Sequence, residues 1–199
     1  MTVQAFAVFD TAIGIAALAW GPKGITGSQL PEQTAEAARA HMRRRFPEAD
    51  EARPPSAIRR VIDDIVALMR GERKDLRGAE LDLDGIPDFH RKVYDVTRAI
   101  PPGETLTYGE VAEKLDSPGA ARAVGQALGA NRFPIIVPCH RVLGAGGKVG
   151  GFSAPGGTTT KMRLLNIEGA KVDEKPFLFS DLPLAAPPRR PRSTKPRGR

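Results

Sequence analysis

The chain has 199 residues, of which 41% are hydrophobic and 27% charged, so it is long enough for one large or two small domains with a buried core. Its single cysteine excludes an internal disulfide, and with only three histidines we expect no structural zinc, no other metal and no cofactor. The formal net charge is +7, but six basic residues of an acid-free tail account for most of it. These are Arg189, Arg190, Arg192, Lys195, Arg197 and Arg199.

The N-terminal stretch predicts a β-hairpin or meander. Two apolar runs, from Val3 to Phe9 and from Ala12 to Trp20, are followed by the turn residues 21–24. The run that ends at Trp20 is far shorter than the roughly 20 residues of a membrane span and has no basic segment before it. We therefore expect no membrane association and a cytoplasmic location.

Two helices and an edge strand complete a predicted small α+β domain over residues 1–84. Thr34 can cap a helix from Ala35 to about Arg45. Residues 81–83 alternate leucine with an acid, which is typical of an edge strand. A second helix follows Ser56, and its apolar residues share one face. They are Val61, Ile62, Ile65, Val66 and Met69.

Residues 85–87 mark a boundary, after which the pattern becomes helical. Apolar residues recur at helical spacing from Asp88 onward, until Pro101-Pro102-Gly103 stops the helix. Two capped helices follow. Thr107 and Glu110 form a capping box, and Ser117-Pro118 predicts an N-cap with proline at the first helical position. Two helices joined by so tight a turn predict a helix-turn-helix.

The second of these helices, over residues 119–130, is made almost entirely of glycine and alanine. Only Arg122 and Gln126, four residues apart on one face, are long enough to reach a nucleic acid. Such a helix is poorly equipped to read bases in the major groove. A slim surface instead suits close approach to a minor groove, with Arg122 able to enter the space of a base that has rotated out. Small residues also pack helix against helix, so the composition leaves both uses open.

The only cysteine, Cys139, lies at the end of an apolar run between two prolines. Residues 134–137 read as a short buried strand that delivers Cys139 to a bend, because Pro138 fixes its own φ. A lone cysteine in such a place is often a core filler. His140 and Arg141 follow at once, however, and a neighbouring imidazole or cation lowers a thiol pKa. The pattern therefore also fits an activated nucleophile.

The residues around this cysteine resemble the O6-alkylguanine-DNA alkyltransferases, also called methylated-DNA–protein-cysteine methyltransferases. The shared motifs are Pro138-Cys139-His140-Arg141-Val142, Asn131, the helix 120–124 and the ending Ile167-Glu168-Gly169. The resemblance is dense from about Phe89 to Ala170. It implies an α+β protein with an N-terminal ribonuclease-H-like domain (1–84), a mainly helical winged helix-turn-helix domain with the active site (87–172) and a C-terminal extension (173–199). The extension is basic and, from residue 187, too poor in apolar residues to fold alone.

The resemblance also implies a reaction. Cys139 takes the alkyl group from O6-alkylguanine in duplex DNA after base flipping, once per molecule, in a protein expected to be monomeric. His140 deprotonates the thiol through a water, and Glu168 orients the imidazole. Tyr108 donates a hydrogen bond to the leaving guanine, and Asn131 is the hinge between the recognition helix and the active-site turn.

The remaining implied site residues contact DNA or the flipped base. The DNA-binding set is Ala121, Arg122 and Gln126, with Tyr108. The base pocket set is Val142, Val149, Phe152 and Ser153, of which the last three belong to a glycine-rich wing, residues 144–157. Phe152 departs from the tyrosine of many relatives, and the loop after it is about two residues longer than in some.

Three other protein classes fit parts of the same sequence. A module that binds alkylated bases without reacting has its nucleophile replaced, which Cys139 argues against. A cysteine hydrolase or acyltransferase needs an oxyanion hole and has no use for a helix-turn-helix. A transcriptional regulator needs more base-reading side chains than the helix over residues 119–130 provides.

Overall fold

A computed structural model describes residues 5–149 and 157–170 of the chain. Its N-terminal region is a four-stranded sheet in the order β3-β2-β1-β4. The strands are β1 (Ala5–Thr11), β2 (Gly14–Gly21), β3 (Gly24–Glu32) and β4 (Asp50–Glu51). The first three form the predicted antiparallel meander, and β4 runs parallel to β1. The start of the first predicted run, before residue 5, lies outside the described residues.

Two helices cover the two faces of this sheet. Helix α1 (Ala35–Arg45) begins at the predicted cap, where the Thr34 hydroxyl accepts from Ala37 N at 3.1 Å. Helix α2 (Ser56–Leu68) buries the apolar face that its sequence predicts. Because neighbouring strand residues point to opposite faces, Phe6 packs with α1 while Ala5 and Ala7 pack with α2.

The predicted edge strand at residues 81–83 is wrong as a strand, because only Leu81 pairs, in a single bridge to Ile25 of β3. Ile25 N donates to Glu80 O at 2.9 Å, and Asp82 N donates to Ile25 O at 2.7 Å. The outer edge of β3 is therefore covered here by a short extended turn.

The remaining described elements are mainly helical. They are α3 (Asp88–Arg98), β5 (Leu106–Thr107), α4 (Tyr108–Lys114), α5 (Ala121–Gly129), β6 (Val142–Leu143) and α6 (Gly157–Ile167). The capping box at Thr107 and Glu110 is confirmed, with both of its hydrogen bonds present. The chain is a mixed α+β protein, and in the part that the structure describes no helix is both long and apolar enough to cross a membrane.

The predicted N-cap at Ser117-Pro118 is wrong. The Ser117 hydroxyl donates to Leu115 O at 3.2 Å instead of accepting from a helix, and α5 begins only at Ala121. Gly119 has a φ of +89°, which no α-helix residue adopts, so residues 118–120 form a turn of their own. The turn between α4 and α5 is longer than the sequence predicts.

The predicted strand over residues 134–137 is also wrong, although its burial is correct. Val137 N donates to Phe133 O at 2.8 Å, so the segment is a compact turn. Ile135 has a φ of +76°, a left-handed conformation that a β-branched residue rarely adopts. Ile135, Ile136 and Val137 are nevertheless almost fully buried.

Candidate active site

Cys139 begins a single 3₁₀ turn, Cys139–Arg141, between this buried segment and β6. Cys139 N donates to Val137 O at 2.8 Å, and Arg141 N donates to Pro138 O at 2.9 Å. The turn buries the side chains of His140 and Arg141 but leaves Cys139 partly exposed. The turn thus holds Cys139 in place with part of the residue exposed.

Tyr108 is brought to the same site by a short parallel ladder. Leu106 and Thr107 of β5 pair with Val142 and Leu143 of β6, the strand that directly follows the Cys139 turn. Tyr108, the first residue of α4, comes directly after β5 and therefore lies beside this turn. Burial, together with the nearby Cys139, raises the pKa of the half-buried Tyr108 hydroxyl. Tyr108 therefore stays protonated at neutral pH and can donate a hydrogen bond.

His140 and Glu168 form the predicted pair, and Arg141 joins them. His140 Nε2 lies 3.0 Å from Glu168 Oε1. Arg141 Nε and Nη2 donate to the two oxygens of the same carboxylate, each at 2.8 Å. Arg141 Nη1 donates to Ile100 O at 2.6 Å. This bidentate arginine holds the carboxylate rigidly, and it was missed as a site residue in the sequence.

The arrangement fixes which nitrogen of His140 can act as a base. Burial lowers the pKa of His140 more than Glu168 raises it, so the ring is neutral at pH 7. A carboxylate can only accept, hence Nε2 carries the ring proton and donates it to Glu168. Nδ1 keeps its lone pair, and it has no hydrogen-bond partner among the described residues.

Glu168 is ionised across the physiological range. Burial alone would raise its pKa, but hydrogen bonds from His140 and Arg141 and the positive charge of Arg141 outweigh burial and hold the pKa at about 2. Glu168 follows the last turn of α6, where a carboxylate opposes the helix dipole. Arg141 offsets that penalty.

Asn131, the predicted hinge residue, links α5 to the Cys139 turn through hydrogen bonds of its side chain. Its Nδ2 donates to Val137 O at 2.9 Å, and its Oδ1 accepts from Phe133 N at 2.9 Å. A further hydrogen bond from Asn131 to Cys139 favours the thiolate by lowering the thiol pKa. The side chain therefore bridges both ends of the buried segment and the reactive sulfur.

Lys161 of α6 is the second residue that sequence analysis missed. Its side chain is fully buried, its Nζ donates to Val142 O at 2.6 Å and lies 5.8 Å from the centre of the Tyr108 ring. The signal was available, since Lys161 precedes the apolar Leu164 and Leu165 by three and four residues and so shares their buried face. A buried ammonium at a reactive cysteine calls for a functional explanation.

The charges around Cys139 differ from those the sequence predicts. Burial raises the thiol pKa, and the groups that oppose this are Asn131, the Lys161 ammonium and nearby backbone N–H groups. Arg141, expected to lower the pKa directly, is instead paired with Glu168. The resting thiol is therefore protonated and needs a base at the moment of reaction.

Three of the four predicted DNA-binding residues share one side of α5, and the fourth, Tyr108, is the first residue of α4. Arg122 and Gln126 are exposed and Ala121 is half-buried, while the buried side of the helix consists of Val124, Ala127 and Leu128. Of the predicted base pocket, Val142 is buried and Val149 half-buried. Phe152 and Ser153 lie outside the described residues.

Comparison with known proteins places this site in a family. Residues 88–170 match the family model for the DNA binding domain of 6-O-methylguanine DNA methyltransferase. The chain is 39% identical over 174 residues to the methylated-DNA--protein-cysteine methyltransferase of Mycobacterium tuberculosis H37Rv, across 87% of this chain and 98% of the relative. The corresponding protein of Methanothermobacter thermautotrophicus is 35% identical over 154 residues, across 77% and 79%. The chain belongs to the methylated-DNA–protein-cysteine methyltransferase family.

Solved structures agree with this assignment. The crystal structure of the M. tuberculosis O6-methylguanine methyltransferase has a TM-score of 0.66 at 39% identity, covering 84% of this chain and 93% of that one. M. tuberculosis OGT in complex with DNA has a TM-score of 0.67 at 38% identity, covering 83% and 92%. The activity is thus transfer of an alkyl group from O6-alkylguanine in DNA to a protein cysteine, and this methyltransferase has only one cysteine.

Proposed function

We propose that Cys139 accepts the alkyl group directly, in a single irreversible turnover, from a guanine swung out of duplex DNA. The observation that carries this proposal is the position of the one cysteine. It is partly exposed, beside a neutral histidine that is fixed by an ionised carboxylate. The site holds a nucleophile and a base, and no described group is placed to hydrolyse a thioether.

The reaction begins with loss of the thiol proton. The proton passes from Cys139 through a water to Nδ1 of His140, and Glu168 stabilises the imidazolium that forms. The thiolate attacks the alkyl carbon, the C–O bond breaks and its electrons remain on guanine. The Tyr108 hydroxyl, kept protonated by its raised pKa, donates a hydrogen bond to the departing anion. The thioether at position 139 is the final state.

Lys161 stabilises the thiolate in this scheme. Its ammonium lowers the pKa of Cys139. Burial lowers the pKa of Lys161 itself, and the charge of Cys139 partly offsets that effect. The same Nζ fixes the Val142 carbonyl, which we propose as one acceptor for the guanine amine. A carbonyl has two lone pairs, so it can accept from both groups.

Replacing Lys161 with methionine should therefore move the pH dependence of alkyl transfer to higher pH. Without the ammonium the thiol pKa rises further and less thiolate forms at neutral pH, where the rate should fall about tenfold. Rates measured from pH 6 to 10 on an alkylated duplex test this. Lys23→Met, at an exposed turn lysine paired with Asp84, is the control and should keep the wild-type profile. A Lys161→Met profile that coincides with the wild type contradicts the role.

We propose that α4 and α5 form the helix-turn-helix of a winged domain over residues 87–172, and that residues 1–84 adopt a ribonuclease-H-like fold. The sheet with helices on both faces and the α4–turn–α5 unit support these descriptions. Arg122 fills the space of the flipped nucleotide, while Ala121 and Gln126 lie against the minor groove. The complex of M. tuberculosis OGT with DNA supports DNA as the partner, and we propose that this DNA is an alkylated duplex. We expect a monomer that works in the cytoplasm.

Intact-protein mass spectrometry tests the proposal. The methyltransferase is mixed with excess duplex that carries O6-methylguanine, and with unmodified duplex as a control. The expected result is one methyl group per protein molecule, found on the peptide that contains Cys139, followed by no further consumption of substrate. Continued turnover in excess DNA, or a methyl group elsewhere in the chain, would refute it.

A further inference from the structure

The segment between α5 and the Cys139–Arg141 turn, residues 130–138, is held by hydrogen bonds on two sides. On the inner side, Asn131 bonds to Val137 O and Phe133 N. On the outer side the segment lies against the N-terminal sheet. Ser28 N of β3 donates to Arg132 O at 3.0 Å, and Ser28 Oγ donates to Pro134 O at 2.7 Å. The edge strand of the sheet thus binds the backbone that carries the active site.

Arg45, the last residue of α1, completes the outer contact. Its Nη2 donates to Arg132 O at 2.9 Å and its Nη1 to Ser28 O at 3.0 Å, so one guanidinium bridges strand and segment. Burial and the neighbouring Arg132 lower the pKa of Arg45, and among the described residues it forms no ion pair. A half-buried cation that binds two carbonyls is a costly contact, which suggests a purpose other than stability.

A β-bulge makes this contact possible. In a regular strand, residues 25 and 28 would point their backbone groups in opposite directions, because the period is two. In β3 the pairing shifts by one residue, since Trp20 pairs with Ile25 but Ala19 pairs with Gly27. Ile25 and Ser28 therefore both point their backbone N–H and C=O away from β2. Those of Ile25 bond to Glu80 and Asp82, and those of Ser28 bond to Arg132 and Arg45.

Gly27 provides the room for the guanidinium. A Cβ at this position would lie 2.9 Å from the Phe46 ring and 3.0 Å from Arg45 Nη2. The Arg45 guanidinium also lies 4.9 Å from the centre of the Phe46 ring. Bulge, glycine and aromatic ring together place Arg45 where it reaches the segment.

The same segment contains a strained backbone conformation, at Ile135. Ile135, with its φ of +76°, follows directly on Pro134, whose carbonyl Ser28 holds. A β-branched residue keeps such a conformation only when its surroundings over-determine it. Relaxation of Ile135 would move Val137, to whose carbonyl both Asn131 and Cys139 N are bonded.

We propose that Ser28 and Arg45 are positioning residues for alkyl transfer, which hold residues 131–134 so that Cys139 meets the extruded base in reactive geometry. The proposal rests on the proposed role of Cys139. On this proposal the N-terminal region affects the rate of the chemical step by positioning Cys139, although no residue of that region touches the reacting atoms.

Single-turnover kinetics of Arg45→Lys test the proposal. Lysine keeps the charge but has one nitrogen on a shorter side chain in place of the two that reach Ser28 O and Arg132 O. We therefore expect the maximal transfer rate at saturating alkylated duplex to fall about tenfold while the dissociation constant for DNA is unchanged. Ser28→Ala, a milder change, should lower the maximal rate roughly threefold. Arg39→Lys, on the same helix but paired with Glu51 at 2.8 Å, is the matched control and should react like the wild type.

Amide hydrogen exchange provides a readout that does not depend on chemistry. In Arg45→Lys the amides of Phe133 and Val137 should exchange faster, and the amide of Val124 in α5 should not change. Two results, measured below the unfolding temperatures of the variants, would overturn the positioning role of Ser28 and Arg45. One is a wild-type maximal rate in both variants, and the other is a change in DNA affinity with no change in maximal rate. Failure of the wild type to transfer an alkyl group would refute the proposed role of Cys139. Unchanged amide exchange at Phe133 and Val137 in Arg45→Lys would separately refute the positioning role of Arg45.

Discussion

Replacing Cys139 with serine is expected to abolish alkyl transfer while DNA binding remains intact. Serine fills nearly the same space, and Asn131 and the backbone N–H groups around position 139 can bond a hydroxyl as they bond the thiol. A hydroxyl ionises far less readily than a thiol, however, and Nδ1 of a neutral histidine is too weak a base to make an alkoxide here. The rate should fall by at least about 10⁴-fold.

The measurement compares wild type and Cys139→Ser on the same O6-methylguanine duplex. Mass spectrometry over hours should find the added methyl group only on the wild type, and fluorescence anisotropy should give equal affinities for both proteins. Equal affinities show that the pocket and the DNA-binding surface are preserved. Methylation of the serine variant at a rate close to that of the wild type would show that another residue is the acceptor.

Replacing Glu168 with glutamine should cost both rate and stability. The amide of glutamine can donate to Nε2 of His140, which traps the ring proton on Nδ1, the nitrogen that must accept from the thiol. The transfer rate at pH 7 is then expected to fall by about 10³-fold. The buried Arg141 loses its carboxylate, which should destabilise the fold by about 3–5 kcal/mol.

The stability difference between wild type and Glu168→Gln should narrow in acid. The folded pKa of Glu168, about 2, lies below its ordinary value of 4.5. A depressed pKa contributes stability that is present above pH 4.5 and is lost as pH falls towards 2. This pKa difference corresponds to about 3 kcal/mol in the free energy of unfolding. Glutamine does not ionise, so the variant lacks this contribution at every pH.

Urea unfolding at pH 7 and at pH 3 measures this difference. Glu36→Gln, at an exposed position in the first turn of α1, is the control and should unfold like the wild type at both pH values. A Glu168→Gln variant with unaltered stability at pH 7 would mean that Arg141 and His140 do not depend on this carboxylate. Normal transfer kinetics in the variant would remove Glu168 from the mechanism.

Local sequence rules predicted those parts of the fold that local contacts determine. The cap at Thr34, the capping box at Thr107 and the helix from Asp88 are as expected, because each depends on side chains within one turn. The N-cap at Ser117-Pro118 was wrong, because Gly119 adopts a positive φ that delays α5 to Ala121. A serine followed by a proline fits a turn as well as a helix start.

The sequence named residues that the structure places close together, and their catalytic roles stay a prediction; the sequence did not predict the electrostatics around them. Motif resemblance named Cys139, His140 and Glu168, and the structure pairs His140 with Glu168 and places Cys139 in the same 3₁₀ turn as His140. It gave no information on the bidentate Arg141 or the buried Lys161, because these depend on how α6 packs against the 3₁₀ turn. The apolar run before Cys139 was read as a strand, since burial alone does not distinguish a strand from a compact turn.

The β-bulge in β3 limits how this part of the chain can diverge. Substitutions along the strand leave the direction of its backbone groups unchanged, whereas gain or loss of one residue between Ile25 and Ser28 reverses the parity on which the contact with Arg132 depends. Homologues that keep this contact should therefore conserve strand length and Gly27, while the other positions of the strand vary in composition. An indel in β3 is expected only where the link to Arg132 has also been lost.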